Sequence, residues 1–157
     1  MKLAVSMVLT TLYLAAFVTV CDTQLSFAYQ NEPKDFRGVV WASSINERSD
    51  MGLKKSFKDL KFYSRTDDPL TFGEGTVRSI SYLFCSEKFC SVMIDFSSRE
   101  NFEKIKYELF RLHGPGDKNT RSPMEEYHWR GNVNILLLYS DRNDEGSVTY
   151  SYKPTAD

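Results

Sequence analysis

Histidines, cysteines and paired acids are the side chains here that are reactive enough for chemistry, and few of them are spaced to perform it. The chain has 157 residues, with two histidines and three cysteines. Acyl transfer by a nucleophile, a base and an orienting acid needs a serine or cysteine beside an imidazole, but no Gly-x-Ser-x-Gly marks a nucleophile. His113 falls where a helix should end and reads as a partner for the terminal carbonyls. His128 stands between Tyr127 and Trp129, on the opposite face of a strand from both, and is the histidine open to a catalytic reading. Asp67-Asp68, Glu125-Glu126 and Asp144-Glu145 are adjacent acids. Such pairs act as general acid and base only where a cleft separates and desolvates them, so in turns they read as solvated. Asp95, within a strand, reads as facing solvent or as pairing with an arginine on the sheet. The run from Asp141 to Gly146 lacks the spacing and closing Glu of a calcium loop. Gly73-Glu74-Gly75 and Gly114-Pro115-Gly116 lack the Lys and Ser/Thr of a phosphate loop. No catalytic residue, metal or cofactor is expected.

Cys85 and Cys90 bracket four residues between two strand-like runs, where a hairpin brings its ends together. A disulfide across the tip is expected, contributing on the order of 2 kcal/mol because the closed loop is short. Zinc would need two further ligands at knuckle spacing, and a redox pair would be Cys-x-x-Cys at a helix start.

The disulfide implies an oxidising compartment, and the N-terminus agrees. Met1-Lys2 precedes an uncharged apolar run, Leu3 to Val20, and Ser26-Phe27-Ala28 has small residues where a signal peptidase reads them. Residues 1–28 are therefore expected to be a signal peptide cut between Ala28 and Tyr29. Two other readings stay open: an uncleaved membrane anchor, and a lipidated Cys21, which the bulky Val20 disfavours. Each places the folded part outside the cytoplasm, periplasmic or extracellular.

The roughly 130 residues beyond the leader make one ordinary domain. A net charge of −1 excludes a strongly basic nucleic-acid binder, and 41% hydrophobic with 14% aromatic residues excludes wholesale disorder. The basic run Lys54, Lys55, Lys58 and Lys61, interleaved with Phe57, Phe62 and Tyr63, suggests a nucleic-acid or anionic-lipid surface, but Asp50 and Asp59 dilute it and the leading reading is solvated lysines on an edge strand.

These residues need elements to hold them. Residues 29–35 are polar and read as a flexible lead-in to a single domain over 36–154. Phe36 to Trp41 is expected as a strand bent at Gly38. A short helix follows Ser43 and Ser44, with Ser44 and Glu47 at capping-box spacing. A strand is expected from about Lys58 to Arg65, then a turn-rich connection to Gly75. Val77–Phe84 and Cys90–Phe96 form the disulfide-tipped hairpin, with Cys90, Val92, Ile94 and Phe96 on one face. Ser97 to Glu100 opens a long helix striped by Phe102, Ile105, Leu109 and Leu112, and Gly114-Pro115 ends it. Strands at Tyr127–Arg130, Val133–Tyr139 and Val148–Tyr152 complete the set, the second apolar on both faces and so expected at the sheet centre. The fold class is α+β: a mainly antiparallel sheet with one long and one short helix on one face, in two layers.

Phe36-Arg37-Gly38-Val39-x-Trp41, Tyr127-x-Trp129-x-Gly131 and Gly146-x-Val148-x-Tyr150 together resemble small bacterial envelope proteins without an assigned activity. The resemblance spans most of residues 36–152 and departs at Ala42, where glycine is expected. It implies fold and compartment, and no catalytic residues.

The leading functional expectation is an exported, non-enzymatic binding or interaction module. Its partner would be an envelope protein, peptide or glycan, with no nucleic acid, and with membrane contact only through a retained leader or a lipidated Cys21. Trp129, Tyr150 and Tyr152 are either core residues or an exposed aromatic binding face. The alternatives are a hydrolase of an envelope polymer using dispersed carboxylates, and a structural accessory subunit.

Overall fold

The computed structural model describes residues 29–153. The leader, its cleavage point between Ala28 and Tyr29, Cys21 and the last residues of the chain lie outside the described residues.

The first motif folds back on itself. Strands β1 (Asp35–Phe36) and β2 (Val39–Val40) pair around Arg37 and Gly38, whose φ angles of 51° and 78° suit a two-residue turn. The expected single strand is thus a small hairpin. The expected short helix is one 3₁₀ turn, Ile45–Glu47, with Ser44 Oγ accepting from the Asn46 amide at 3.3 Å. Next, β3 (Met51–Phe57) and β4 (Leu60–Arg65) form a hairpin turning at Lys58 and Asp59. The strand over Met51–Phe57 is masked in the sequence because Lys54 is an extra residue in a bulge, which breaks the two-residue alternation. The turn-rich connection contains a second ribbon, β5 (Thr71–Phe72) and β6 (Gly75–Thr76).

Strands β7 (Ser79–Cys85) and β8 (Lys88–Ser97) form the disulfide-tipped hairpin, with a tighter turn than the cysteine spacing suggests. Cys85 pairs directly with Lys88, and the two turn residues Ser86 and Glu87 have φ of 46° and 66°. Cys90 is left unpaired by a bulge between the Leu83–Ser91 and Phe84–Phe89 pairs. That bulge rotates Phe89 into the core beside Val92, Ile94 and Phe96, so Cys90 does not share their face. The cysteines are bonded, with Cα atoms 5.8 Å apart.

Helix α1 (Arg99–His113) begins one residue later than expected. Ser98, at φ 77°, caps it by accepting from the Asn101 amide at 3.3 Å, while Asn101 Nδ2 donates to the Ser97 carbonyl at 2.9 Å. Phe102, Ile105 and Leu109 are fully buried, each contributing roughly 1.5–3 kcal/mol by burial. After the helix come β9 (Asp117–Lys118), β10 (Glu125–Trp129), β11 (Val133–Ser140) and β12 (Glu145–Tyr152).

Eight of these strands make one antiparallel sheet in the order β3-β4-β7-β8-β12-β11-β10-β9. Each half is a meander of sequence neighbours, and the halves meet only along β8 and β12, where Ile94 faces Val148. α1 carries the chain from β8 at the centre to β9 at the far edge, which lets β12 return to pair with β8. Strand β11 is therefore interior but not central, and only its Val133, Ile135, Leu137 and Tyr139 face is fully buried. The whole is α+β with a dominant antiparallel sheet and one α-helix among the described residues.

Residues 29–35 are not a free lead-in. They form a strap across the end of α1: the Gln30 amide donates to the His113 carbonyl at 3.2 Å, and Asn31 Nδ2 donates to the Leu112 carbonyl at 3.1 Å. Glu32 accepts from the Val133 amide at 2.7 Å, and the Pro33 carbonyl accepts from Trp41 Nε1 at 2.9 Å. Polar composition hides this role, because the strap binds through hydrogen bonds that satisfy orphan helix carbonyls.

Candidate functional site: the uncovered sheet face

Side chains of the sheet alternate between a fully buried face and one that is mostly half buried, as along β11, where Val133, Ile135, Leu137 and Tyr139 are buried and the residues between them are half buried. The buried face lies under α1, the strap and the two ribbons. On the other face the register aligns a row of Ser81, Met93, Thr149, Leu136 and His128 across five strands. The neighbouring row runs Phe62, Leu83, Ser91, Ser151 and Asn134. Small hydroxyls separated by aliphatic side chains give a shallow, weakly charged surface, with Met93 at 36% exposure near its middle.

The ionisable groups on this face are tied to neighbours. Glu126 accepts from Asn119 Nδ2 at 3.1 Å and bonds the His128 ring Nε2. Asn119, then His128 and Ser122, hold its carboxyl down to about 2. The bond that the His128 ring makes is to Glu126, with no serine or cysteine bonded to it among the described residues, so a nucleophile–base–orienter order is not formed here. Asp95 is half buried and accepts from Ser79 Oγ at 2.8 Å, while Arg78 reaches Glu145 at 2.6 Å, so Asp95 neither simply faces solvent nor pairs with that arginine.

The adjacent acids are not idle in solvent either. The Asp68 side chain is 7% exposed and accepts from Arg37 at 2.6 Å and from Tyr82 Oη at 2.7 Å. Burial first, then Asp68, drives the Tyr82 hydroxyl well above the usual phenol range. Asp67 is exposed beside it. Glu125 pairs with Arg99, which also reaches Asp141 at 3.0 Å and lies over the Tyr139 ring. Asp144 accepts from Tyr139 Oη at 2.6 Å, a bond that, with burial, pushes the phenol up to about 12. The solvated reading fails for Asp68 and for half-buried Glu125, each of which ties a loop or helix end to the sheet; Asp144 is exposed, while still holding its loop to Tyr139.

His113 is also placed differently. It is 6% exposed, its Nδ1 lies 2.7 Å from the Asn31 carbonyl, and its Nε2 lies 3.4 Å from Tyr150 Oη. With Nδ1–H donating to the carbonyl, the tyrosine hydroxyl donates to Nε2. Burial lowers its pKa, against the bond to Asn31 and the charge of Glu108, so it is a neutral bridge between strap and sheet and not a charged cap. The helix carbonyls are satisfied by the strap and by Trp129 Nε1, which donates to Gly114 O at 2.8 Å.

No family model matches this chain, and no curated protein or solved structure shows significant similarity to it. The geometry therefore carries the argument alone. Trp129 and Tyr150, at 3% and 2% exposure, pack on the covered face, and Tyr152 is half buried beside Trp41. They share a sheet face, but it is the one under the strap, so they form core and not an open aromatic platform. Sequence reading missed the opposite face, whose signal was the serines and threonines alternating with buried aromatics in β7, β8 and β12. Among the described residues no His, Cys, Asp or Glu group is gathered to hold a metal, and no helix is long and apolar enough to cross a membrane.

Proposed function

We propose that the chain is an exported, non-enzymatic interaction module that presents its uncovered sheet face to an envelope protein or peptide. The carrying observation is the row Ser81–Met93–Thr149–Leu136, half exposed across four neighbouring strands with no charge in it. Flat, weakly charged surfaces with central aliphatic side chains suit protein contact better than chemistry, which favours concave sites. This reading takes α1, the strap and the ribbons as one layer and the sheet as the other. The Cys85–Cys90 bond supports export, since such bonds persist in oxidising compartments. The resemblance to small envelope proteins belongs to the same reading.

The hydrolase alternative needs acids converging across a cleft, and the acids near this face are each held by a neighbour. A photo-crosslinking residue placed at Met93 or Thr149, and a control at Tyr107 on the helix, tests the proposal in cells. Adducts from the sheet positions alone are expected. Equal yields from Tyr107, or none from the sheet, would overturn it.

A further inference from the structure

We propose that the β3–β4 hairpin docks this domain on an anionic lipid surface. The hairpin is the outer edge of the sheet, and it exposes large apolar side chains where an edge strand ordinarily would not. Phe57, directly before the turn, is 63% exposed, and Leu53 is 55% exposed. Phe57 pairs across the turn with Leu60, which in turn pairs with Cys85, so the apolar tip continues onto the β7–β8 hairpin. Around it stand Lys54, Lys55, Lys58, Lys61 and Lys88, against Asp59 and Glu87 as the only acids of residues 51–61 and 85–88. Only Lys61 is in an ion pair there, with Glu87 at 3.4 Å. Lys58 Nζ sits 5.7 Å from the Phe57 ring centroid, holding a cation beside the exposed aromatic.

Charge complementarity picks the occupant. The chain as a whole carries a net charge of −1, so this corner is a local excess of positive charge that an anionic surface would attract and orient. Register places Lys55 on the uncovered face and Lys61 on the covered one, so the cations surround a convex tip and do not line a groove. A convex tip with one aromatic at its apex and flexible cationic stems fits a lipid headgroup layer. The ring reaches the acyl boundary while the ammonium groups stay among phosphates. A second copy is disfavoured as occupant, because pairing two β3 edges would bring Lys54 and Lys55 against each other. This attachment uses the hairpin end and not the Ser81–Met93–Thr149–Leu136 row, and it stands or falls without that row.

The test uses the protein as exported, mixed with phosphatidylcholine vesicles with and without phosphatidylglycerol. Sedimentation with the phosphatidylglycerol vesicles is expected, weakening as salt rises. Lys54→Gln with Lys55→Gln should lower binding about twenty-five-fold, from about fivefold per lysine. Phe57→Ser should lower it by about tenfold, through lost apolar burial. All these positions are exposed, and near-ultraviolet circular dichroism checks that the variants keep the fold. A Phe57→Trp variant reports on the hairpin even if an apolar leader is retained: its emission should be quenched by brominated phosphatidylglycerol. Absence of that quenching overturns the proposal, as does vesicle binding that is indifferent to phosphatidylglycerol. Binding to heparin and vesicles alike, lost with the lysines but unchanged by Phe57→Ser, also overturns it, since it marks a general polyanion patch.

Discussion

Ala42 has a φ of 62°, a left-handed conformation that costs an L-residue roughly 1–2 kcal/mol and glycine almost nothing. Its side chain is exposed, and its amide donates to the Phe89 carbonyl at 2.9 Å, so the backbone cannot relax without losing that bond. Ala42→Gly should stabilise the domain by about 1 kcal/mol, less the extra freedom glycine gives the unfolded chain; denaturant midpoints measure it, and a lower midpoint refutes the strain. Gly146 is the reverse case: a Cβ there would collide with the Phe96 ring and the Leu138 carbonyl. Gly146→Ala should cost about 1–3 kcal/mol. His113 carries a pH dependence whose sign follows from burial. Its folded pKa is lowered below 6.5, so the unfolded chain binds the proton more readily and stability falls as pH drops through that value. Melting between pH 7.5 and 5.5 should show this fall, and His113→Gln should flatten it. The position of His113 at the helix end was legible from Gly114-Pro115. Its burial was not, because the covering strap is polar and its ties are long-range.

At the scale of elements, hairpin β7–β8 has two locks, a left-handed turn at Ser86-Glu87 and the disulfide on its bulge. The bond closes a small loop, so Cys85→Ser with Cys90→Ser should fold and lose at most about 2 kcal/mol; a failure to fold would mean that the turn alone does not set the register. Helix α1 was readable because its apolar period is uninterrupted, and the hairpin because Val92, Ile94 and Phe96 alternate cleanly up to the bulge at Cys90, where the reading failed. The β3 strand was not, since Lys54 shifts its alternation by one residue. The strap matters more than its length suggests. It closes the C-terminal end of α1 and covers Val133, so Glu32→Ala, which frees the Val133 amide, should lower stability by about 1–3 kcal/mol, whereas a disordered lead-in would show no change.

Across the whole molecule, the two meanders share one core and join only along β8 and β12, with residues 97 and 145 in register. Neither half can cover its own apolar face, so unfolding should be a single transition. Far- and near-ultraviolet melts that fail to coincide would show two units. The antiparallel class was legible from tight turns, but the seam was not, because pairing Ser97 with Glu145 depends on where α1 deposits the chain. That layout also gives the molecule two native optical probes. Trp41 lies flat on Phe89 with 4.6 Å between centroids and is tied to Pro33, while Trp129 is tied to Gly114 and edge-on to Phe110. Both indoles are buried, so the native emission should be blue-shifted. Loosening the strap would free the Trp41 indole first, and a red shift preceding any loss of far-ultraviolet signal would time its release.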